Sequence, residues 1–501
     1  MRLTAHDASF LYTETASGPM HTASIFVVEG EMPFERVFSH FQARMHLVPR
    51  YMQKLAFVPF NLAHPKWVDD PDFDLANHVV RHSVPEGSTL EEAVDLLLTV
   101  NEELLDRSRP LWKTYVVDGV PGKTLMLQQV HHSMIDGVSG IQLTMVLFDF
   151  DRDASDPPPG EPRQPAAPPS AMDLVGEAVR ESAERLSANP LAGVHTDRKS
   201  IELLRNAGRA FSRFFTEPAI TAPWNAGLVG PKRRLRWTSH PFSEFREIRR
   251  AFGGTINDVV LAMVSEGAAR YLDRRREETQ GKHLRIMCPV SVRTEDEAGS
   301  LGNRVSAIFP LLPAWSMDAA ERLRAVIGET ERIKREEEAQ ALTFLNEATP
   351  SVPPVAMAPA LLVGTRFDPT ALAGRIPLPA APNLGTRLPL YGFNFTCTNV
   401  PGVQVPQYMA GHQISNIIGI LMLTGTLGYG MAVVSYNQVM RFNFVCEPRL
   451  MPDLDVMVEG VEQVYQELLE EARRINEPPA PPTRGGRSRT AGSKSARSPA
   501  A

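Results

Sequence analysis

Cysteine is scarce in this chain and never paired in sequence. Cys288, Cys397 and Cys446 are widely separated and odd in number. No CxxC spacing joins them, which excludes a disulfide framework and a cysteine-built zinc site and fits a reducing cytoplasm. An excess of positive charge is also missing. The formal net charge is −6, so the overall balance gives no footprint for nucleic acid. The opening MRLTAHDASFLYTE lacks the uninterrupted apolar core of a secretory signal. One uncharged stretch, Ile414 to Val434, has the length of a membrane span. Asn416, glycines and hydroxyl residues interrupt it, so it reads as two buried strands around a turn at Gly425 to Gly430. No GxSxG, HExxH, phosphate-binding loop or dinucleotide fingerprint occurs, and no internal repeat is evident.

What is present begins with length. A chain of 501 residues with 43% hydrophobic and 22% charged residues is an ordinary globular composition, too long for one core. The punctuation divides it into residues 1–150, a Pro-rich linker with crossover helices at 151–230, a second domain at 231–476, and a basic tail at 477–501. The segment before Ser88 reads as strands and loops with a helix over Phe34 to His46. Ser88 to Asp106 reads as a helix with a capping box between Ser88 and Glu91. Strands are expected over Trp112 to Val117 and Thr124 to Val130, and a helix over Val138 to Leu147 with Ile141, Met145 and Val146 inward. Helices are expected at Met172–Ala188 and Ser200–Phe215. The second groups Ile201, Leu204, Phe211, Phe214 and Phe215 on one face, which packs on protein or, in a sharper reading, rests on a lipid surface.

In the second domain, Gly253-Gly254 stops a helix and Thr255 caps the next, with Asn257 and Asp258 in its first turn. A buried strand follows at Leu284 to Val292, then a helix at Ala320 to Gln340, a strand at Leu390 to Asn399, and a closing helix at Val456 to Glu471.

The chemistry concentrates in His131 to Gly137, HHSMIDG, where a strand hands over to a helix. Imidazole titrates near neutrality, so a rigidly presented histidine can take a proton from a hydroxyl. Adjacent residues on a strand point to opposite faces, so only one of the two histidines can face a cleft, and paired metal ligation is disfavoured. Asp136 is placed to pin the turn, and Gly137 permits a close backbone approach.

HHSMIDG matches the HHxxxDG motif of the CoA-dependent acyltransferases. The surrounding segments narrow the match: PMH near the N-terminus, PRY at Pro49–Tyr51, WVDDPDFDLANHV, Pro110-Leu111-Trp112, Asn257-Asp258 in TINDVVLA, PVSVR at Pro289–Arg293, LGN at Leu301–Asn303 and NFTCTNVPG at Asn394–Gly402. Together they resemble the bacterial wax ester synthase/acyl-CoA:diacylglycerol acyltransferase family from Asp7 to about Glu471. The resemblance implies an α/β fold of two chloramphenicol-acetyltransferase-like domains with an active-site channel between them. It implies His132 as general base with Asp136, supported by His131, Gly137, Asn257 and Asp258, with Asn399 and Gly402 shaping the channel. It implies acyl-CoA as donor, diacylglycerol or a long-chain alcohol as acceptor, no cofactor and no metal. The expected location is cytoplasmic, peripheral at the inner membrane face or at lipid droplets. Two other readings fit the motif: an acyltransferase with a carrier-bound acyl or peptidyl donor, and a non-catalytic lipid-droplet protein.

Overall fold

The structure is a computed structural model. It describes residues 1–134, 143–161, 163–187, 202, 205–206, 208–209, 212–213, 216–217, 219–291, 305–337 and 392–477. In chain order the first half holds α1 (Ala5–Thr13), β1 (His21–Glu29), α2 (Phe34–Arg44), β2 (Gln53–Ala56), β3 (Lys66–Asp69), β4 (Val79–Ser83), α3 (Leu90–Val100), β5 (Trp112–Asp118) and β6 (Lys123–His131). Then come α4 (Ala171–Ser187), β7 (Arg234–Pro241), α5 (Phe242–Phe252), α6 (Ile256–Arg274), β8 (His283–Ser291), β9 (Val305–Ile308), β10 (Leu311–Pro313) and α7 (Ala319–Arg335). The chain closes with β11 (Phe395–Pro401), β12 (Tyr408–Met409), β13 (His412–Ile420), β14 (Tyr429–Tyr436), β15 (Val439–Cys446) and α8 (Leu454–Asn476).

Two mixed sheets organise these elements. The first runs β12-β13-β1-β6-β5-β4, the second β10-β8-β11-β14-β15-β7 with β9 on the edge of β8. Period-2 alternation sorts the first sheet cleanly. On β6, Met126 and Val130 face Val37 and Phe41 of α2, while Leu125 and Leu127 face Ala93, Val94 and Leu97 of α3. The second sheet buries Met431, Val433, Phe442 and Phe444 against α5, α6, α7 and α8. Helix α6 is the most enclosed: Asp258 to Ala269 are all buried. It touches α8 so closely that a Cβ on Gly267 would lie 2.4 Å from Val461, so only glycine fits there.

Several expectations need correction. The first segment contains a helix, α1, capped by Thr4, whose side chain accepts from the Asp7 N–H. The capping box of α3 is Thr89 with Glu92, one residue on from Ser88 and Glu91, and α3 stops at Val100 rather than Asp106. Strand β11 starts at Phe395, not Leu390. Asn394 instead turns its amide inward, accepting from the Arg285 N–H at 2.9 Å, while its carbonyl accepts from Trp224 and Asn225. Met145 is exposed rather than inward; Ile141 lies outside the described residues. The uncharged stretch forms β13, a turn and β14. Among the described residues, no helix is long and apolar enough to cross a membrane.

A cut at residue 231 does not separate the sheets. Strands β12 and β13 leave the second half and add to the first sheet, with β13 antiparallel to β1 from Ala23↔Ile420 to Val28↔Ile414. Among the described residues, the linker after Asp151 has no helix or strand up to α4, yet it is strapped down. Asp156 pairs with Arg44 at 2.7 Å, and Arg163 pairs with Asp69 at 2.7 Å.

Candidate active site

Strand β6 ends on His131, and its alternation decides where the two histidines go. His131 shares its face with Leu125, Leu127 and Gln129, and its ring is fully buried. His132 comes after the last strand position, in a turn, and is half-buried. The pair therefore diverges, as strand geometry requires.

Both imidazoles are held. The Ser133 N–H donates to His131 Nδ1 at 3.1 Å, and Ser133 Oγ lies 2.7 Å from the same nitrogen. Since a backbone N–H can only donate, Nδ1 accepts from it, which leaves Nε2 to present the ring's N–H. That nitrogen faces Glu14 Oε1 at 3.4 Å. Glu14 also accepts from the Met20 N–H at 3.0 Å and from Arg107 at 2.8 Å. Burial pushes the Glu14 carboxyl up, but the His131 ring, the Met20 N–H and Arg107 outweigh it and hold it at about 2. His21, which pairs with His131 across β1 and β6, accompanies it in the interior; burial lowers its pKa.

His132 is fixed at its backbone and at its ring face. Its N–H donates to the Met20 carbonyl at 2.8 Å. Its ring stacks on Phe10 of α1, centroids 4.2 Å apart and planes 24° apart. The Met20 peptide therefore couples the two histidines: its N–H holds the carboxylate that faces His131, and its carbonyl holds the start of His132. This is the local meaning of the PMH segment.

The other N-terminal motifs meet under the turn. The Leu111 carbonyl accepts from the His131 N–H at 2.9 Å. Trp112 stacks between Tyr51 at 4.4 Å and His78 at 4.7 Å. Its indole N–H donates to the Tyr51 carbonyl at 2.7 Å. PRY, ANHV and PLW thus form one aromatic footing for β5 and, through Leu111, for the histidines.

Asp136 and Gly137 lie outside the described residues, as do Arg293 and Leu301 to Asn303. Asn257 and Asp258 are on the other half of the molecule, in the first turn of α6. There Asp258 completes a capping box with Thr255 and accepts from Thr330 at 2.8 Å, so its role is to hold α6. Asn257 Oδ1 accepts from Asn399 Nδ2 at 3.4 Å. The structure thus joins the ND and TNVPG motifs to each other and the two histidines to Glu14 and Phe10. Among the described residues, the recorded contacts of Asn257 and Asp258 do not include the histidines. Gly402 follows β11 and donates to the Ser435 carbonyl at 2.9 Å.

Glu14, Phe10, Ser133 and Arg107 were not singled out as site residues in the sequence. A usable signal existed for Phe10, because Thr4-x-x-Asp7 is a helix-start pattern that places Phe10 and Glu14 on and after one short helix. Nothing local marks Glu14 itself, because its side-chain partners Arg107 and His131 come from far along the chain.

The halves are also joined near this point. Arg233, ahead of β7, donates to the Ser17 carbonyl at 2.9 Å and the Leu423 carbonyl at 3.2 Å. Burial lowers its pKa to about 10.

Residues 3–260 match the family described as wax ester synthase/diacylglycerol acyltransferase catalytic domain, and residues 301–469 match its C-terminal domain. A Mycobacterium tuberculosis protein named as a diacylglycerol O-acyltransferase is 28% identical over 482 residues, covering 94% of this chain and 96% of its own. A Mycobacterium bovis protein of similar name matches to the same extent. Among solved structures, the wax ester synthase/diacylglycerol acyltransferase of Marinobacter aquaeolei VT8 shares the fold with a TM-score of 0.63 at 23% identity, covering 94% of this chain and 99% of that one. The first condensation domain of the calcium-dependent antibiotic synthetase shares it at 0.57 and 14%, covering 94% and 95%.

Proposed function

Because the chain belongs to the wax ester synthase/diacylglycerol acyltransferase family, and is therefore an acyltransferase, we propose that it moves a long-chain acyl group from acyl-CoA to diacylglycerol, to a long-chain alcohol, or to both. His132 is the general base of this reading. Its ring takes the proton of the acceptor hydroxyl as the oxygen attacks the thioester carbonyl. The tetrahedral intermediate collapses, the C–S bond breaks, and the proton passes to the departing thiolate. The observation that supports this assignment is the divergence of the two histidines. His131 is buried with its ring between Ser133 and Glu14, whereas His132 is half-buried and its ring is stacked on Phe10. A positioned base is worth roughly 10²–10⁴ in rate. Asn257, with Asn399, supports the site from the second half.

The curated relatives named as diacylglycerol O-acyltransferases favour diacylglycerol as the acceptor. The test is thiol release from palmitoyl-CoA with diacylglycerol, hexadecanol or no acceptor. The reading predicts acceptor-dependent release of free CoA with formation of the matching ester. No release above the acceptor-free control, with either acceptor, would overturn it.

A further inference from the structure

The hairpin of β2 and β3 carries a loop whose apolar residues face outward. Phe57, Phe60 and Leu62 are all exposed, Phe60 to 86%. Phe60 has φ 58 and ψ 16, and Asn61 follows with φ 52. A bulky side chain in the left-handed region is a strained choice, and here the strain serves to hold an aromatic ring out in solvent. The base of the loop is solid. Val58 and Ala63 are buried with Leu174 and Ala178 of α4. Beside that seam α4 presents Met172, Val175 and Val179, an i, i+3, i+7 stripe whose ends are exposed, Met172 to 79%.

The charges around this surface are internally matched. Lys66 pairs with Glu177 at 2.9 Å, and Arg2 pairs with Glu181 at 2.8 Å and Glu177 at 3.6 Å. Helix α4 itself carries Asp173, Glu177, Glu181 and Glu184 against Arg180 and Arg185, so it offers no basic excess to an anionic partner. The base of the same hairpin packs on α1, the helix that carries Phe10. Leu55 and Trp67 pack with Leu3, Ala8 and Leu11. The Leu3 N–H donates to the Pro65 carbonyl at 2.9 Å, and Tyr12 Oη lies 3.1 Å from His64 Nδ1. Helix α1 therefore has the hairpin on one side and, through Phe10, the His132 ring on another.

We infer that the tip of the β2–β3 hairpin, with the flank of α4, docks on an uncharged or zwitterionic lipid interface and sets α1 and the site behind it against that interface. Apolar side chains entering the headgroup boundary supply the attachment, and electrostatic attraction contributes little. This rests on the proposed lipid acceptor only for its purpose; the docking itself is independent of the reaction. A water-borne acceptor would have no need of it, while an acceptor dissolved in a lipid phase has to be met at the surface of that phase.

The experiment is co-flotation of the full chain with phosphatidylcholine vesicles, with and without diacylglycerol, at low and high salt. It compares the wild type with Phe57→Ser, Phe60→Ser and the double variant. Loss of Phe60 should lower the partition coefficient roughly tenfold or more, in line with the transfer of a buried aromatic side chain; loss of Phe57, already more than half covered by the protein, should lower it less, and raising salt should change wild-type binding less than twofold. Thermal melts and thiol release with a monomeric short-chain alcohol in detergent-free buffer should match wild type, since the loop lies outside the catalytic turn. Vesicle binding that survives in the double variant would overturn the proposal. So would binding that requires anionic lipid, or a concentration-dependent dimer in sedimentation that the Phe60 variant dissolves. Absence of thiol release with every acceptor would count against the catalytic reading alone, because flotation is read without turnover.

Discussion

Replacing Glu14 by glutamine keeps the shape of the side chain and removes its charge, and the structure sets the cost. The carboxyl is held at about 2, against an ordinary 4.5, and each pKa unit corresponds to about 1.4 kcal/mol. The native interactions of the carboxylate are therefore worth on the order of 3 kcal/mol at neutral pH. The sign follows from the direction: a carboxyl depressed in the folded state stabilises fully above the unfolded pKa near 4.5 and loses that contribution as pH falls toward 2. Glu14→Gln should lower stability by about 3 kcal/mol at pH 7. Because the halves share a sheet, the cooperative unit is close to the whole chain, and for about 450–500 residues that is a Tm decrease of about 3 °C. By pH 3 the gap between variant and wild type should shrink to about half or less. Activity should suffer separately. The Met20 peptide is held by Glu14 on one side and holds His132 on the other, so its relaxation moves the imidazole. A displacement of about 1 Å can cost on the order of a hundredfold, so kcat should fall 10- to 100-fold with KM little changed. Melts across pH and steady-state thiol release measure both. A variant with wild-type Tm and kcat, or a stability gap independent of pH, would refute the reasoning.

Phe10→Ala removes the ring stacked on His132 and should reduce kcat about tenfold through loss of positioning, whereas Phe10→Tyr should retain most activity; equal activities for the two variants would contradict the role. Asn257→Ala and Asn399→Ala should each give a milder, several-fold loss. Their effects should be non-additive because the two amides touch, so a strictly additive double variant would sink the pairing. The three cysteines are buried, and burial pushes the Cys397 and Cys446 thiols up to about 12. A thiol reagent should therefore label the native protein only at the rate of unfolding, and fast labelling of any cysteine would show otherwise.

The divergence of the two histidines was legible from local rules. The strand before HHSMIDG, KTLMLQQV, is buried on both faces, and period 2 alone sends His131 and His132 to opposite sides. Thr255 and Asp258 announce the start of α6 by spacing, and Gly253-Gly254 its separation from α5. What escaped is long-range or degenerate. Ser88 with Glu91 and Thr89 with Glu92 satisfy the same capping pattern; the backbone at Thr89, φ −67 and ψ 164, selects the second. The pairing of β13 with β1 joins segments nearly four hundred residues apart. No local pattern encodes such a contact, so the exchange of strands between halves was invisible. Glu14 was missed for the same reason, since its value lies in His131, Met20 and Arg107, which fold around it. Asn257 and Asp258 were read together, yet the structure separates them: one caps a helix, the other meets Asn399.

The central claim is that one half-buried imidazole on this turn carries the acyl transfer. The most direct measurement is single-turnover thiol release from palmitoyl-CoA by wild type and His132→Ala under saturating acceptor, alongside a thermal melt. The account predicts loss of roughly 10²–10⁴ in rate with Tm lowered by only about 1–2 °C, because the His132 ring is outside the buried Glu14–His131–Ser133 cluster and loses only its stacking on Phe10. Near-normal turnover in a folded His132→Ala protein would contradict it.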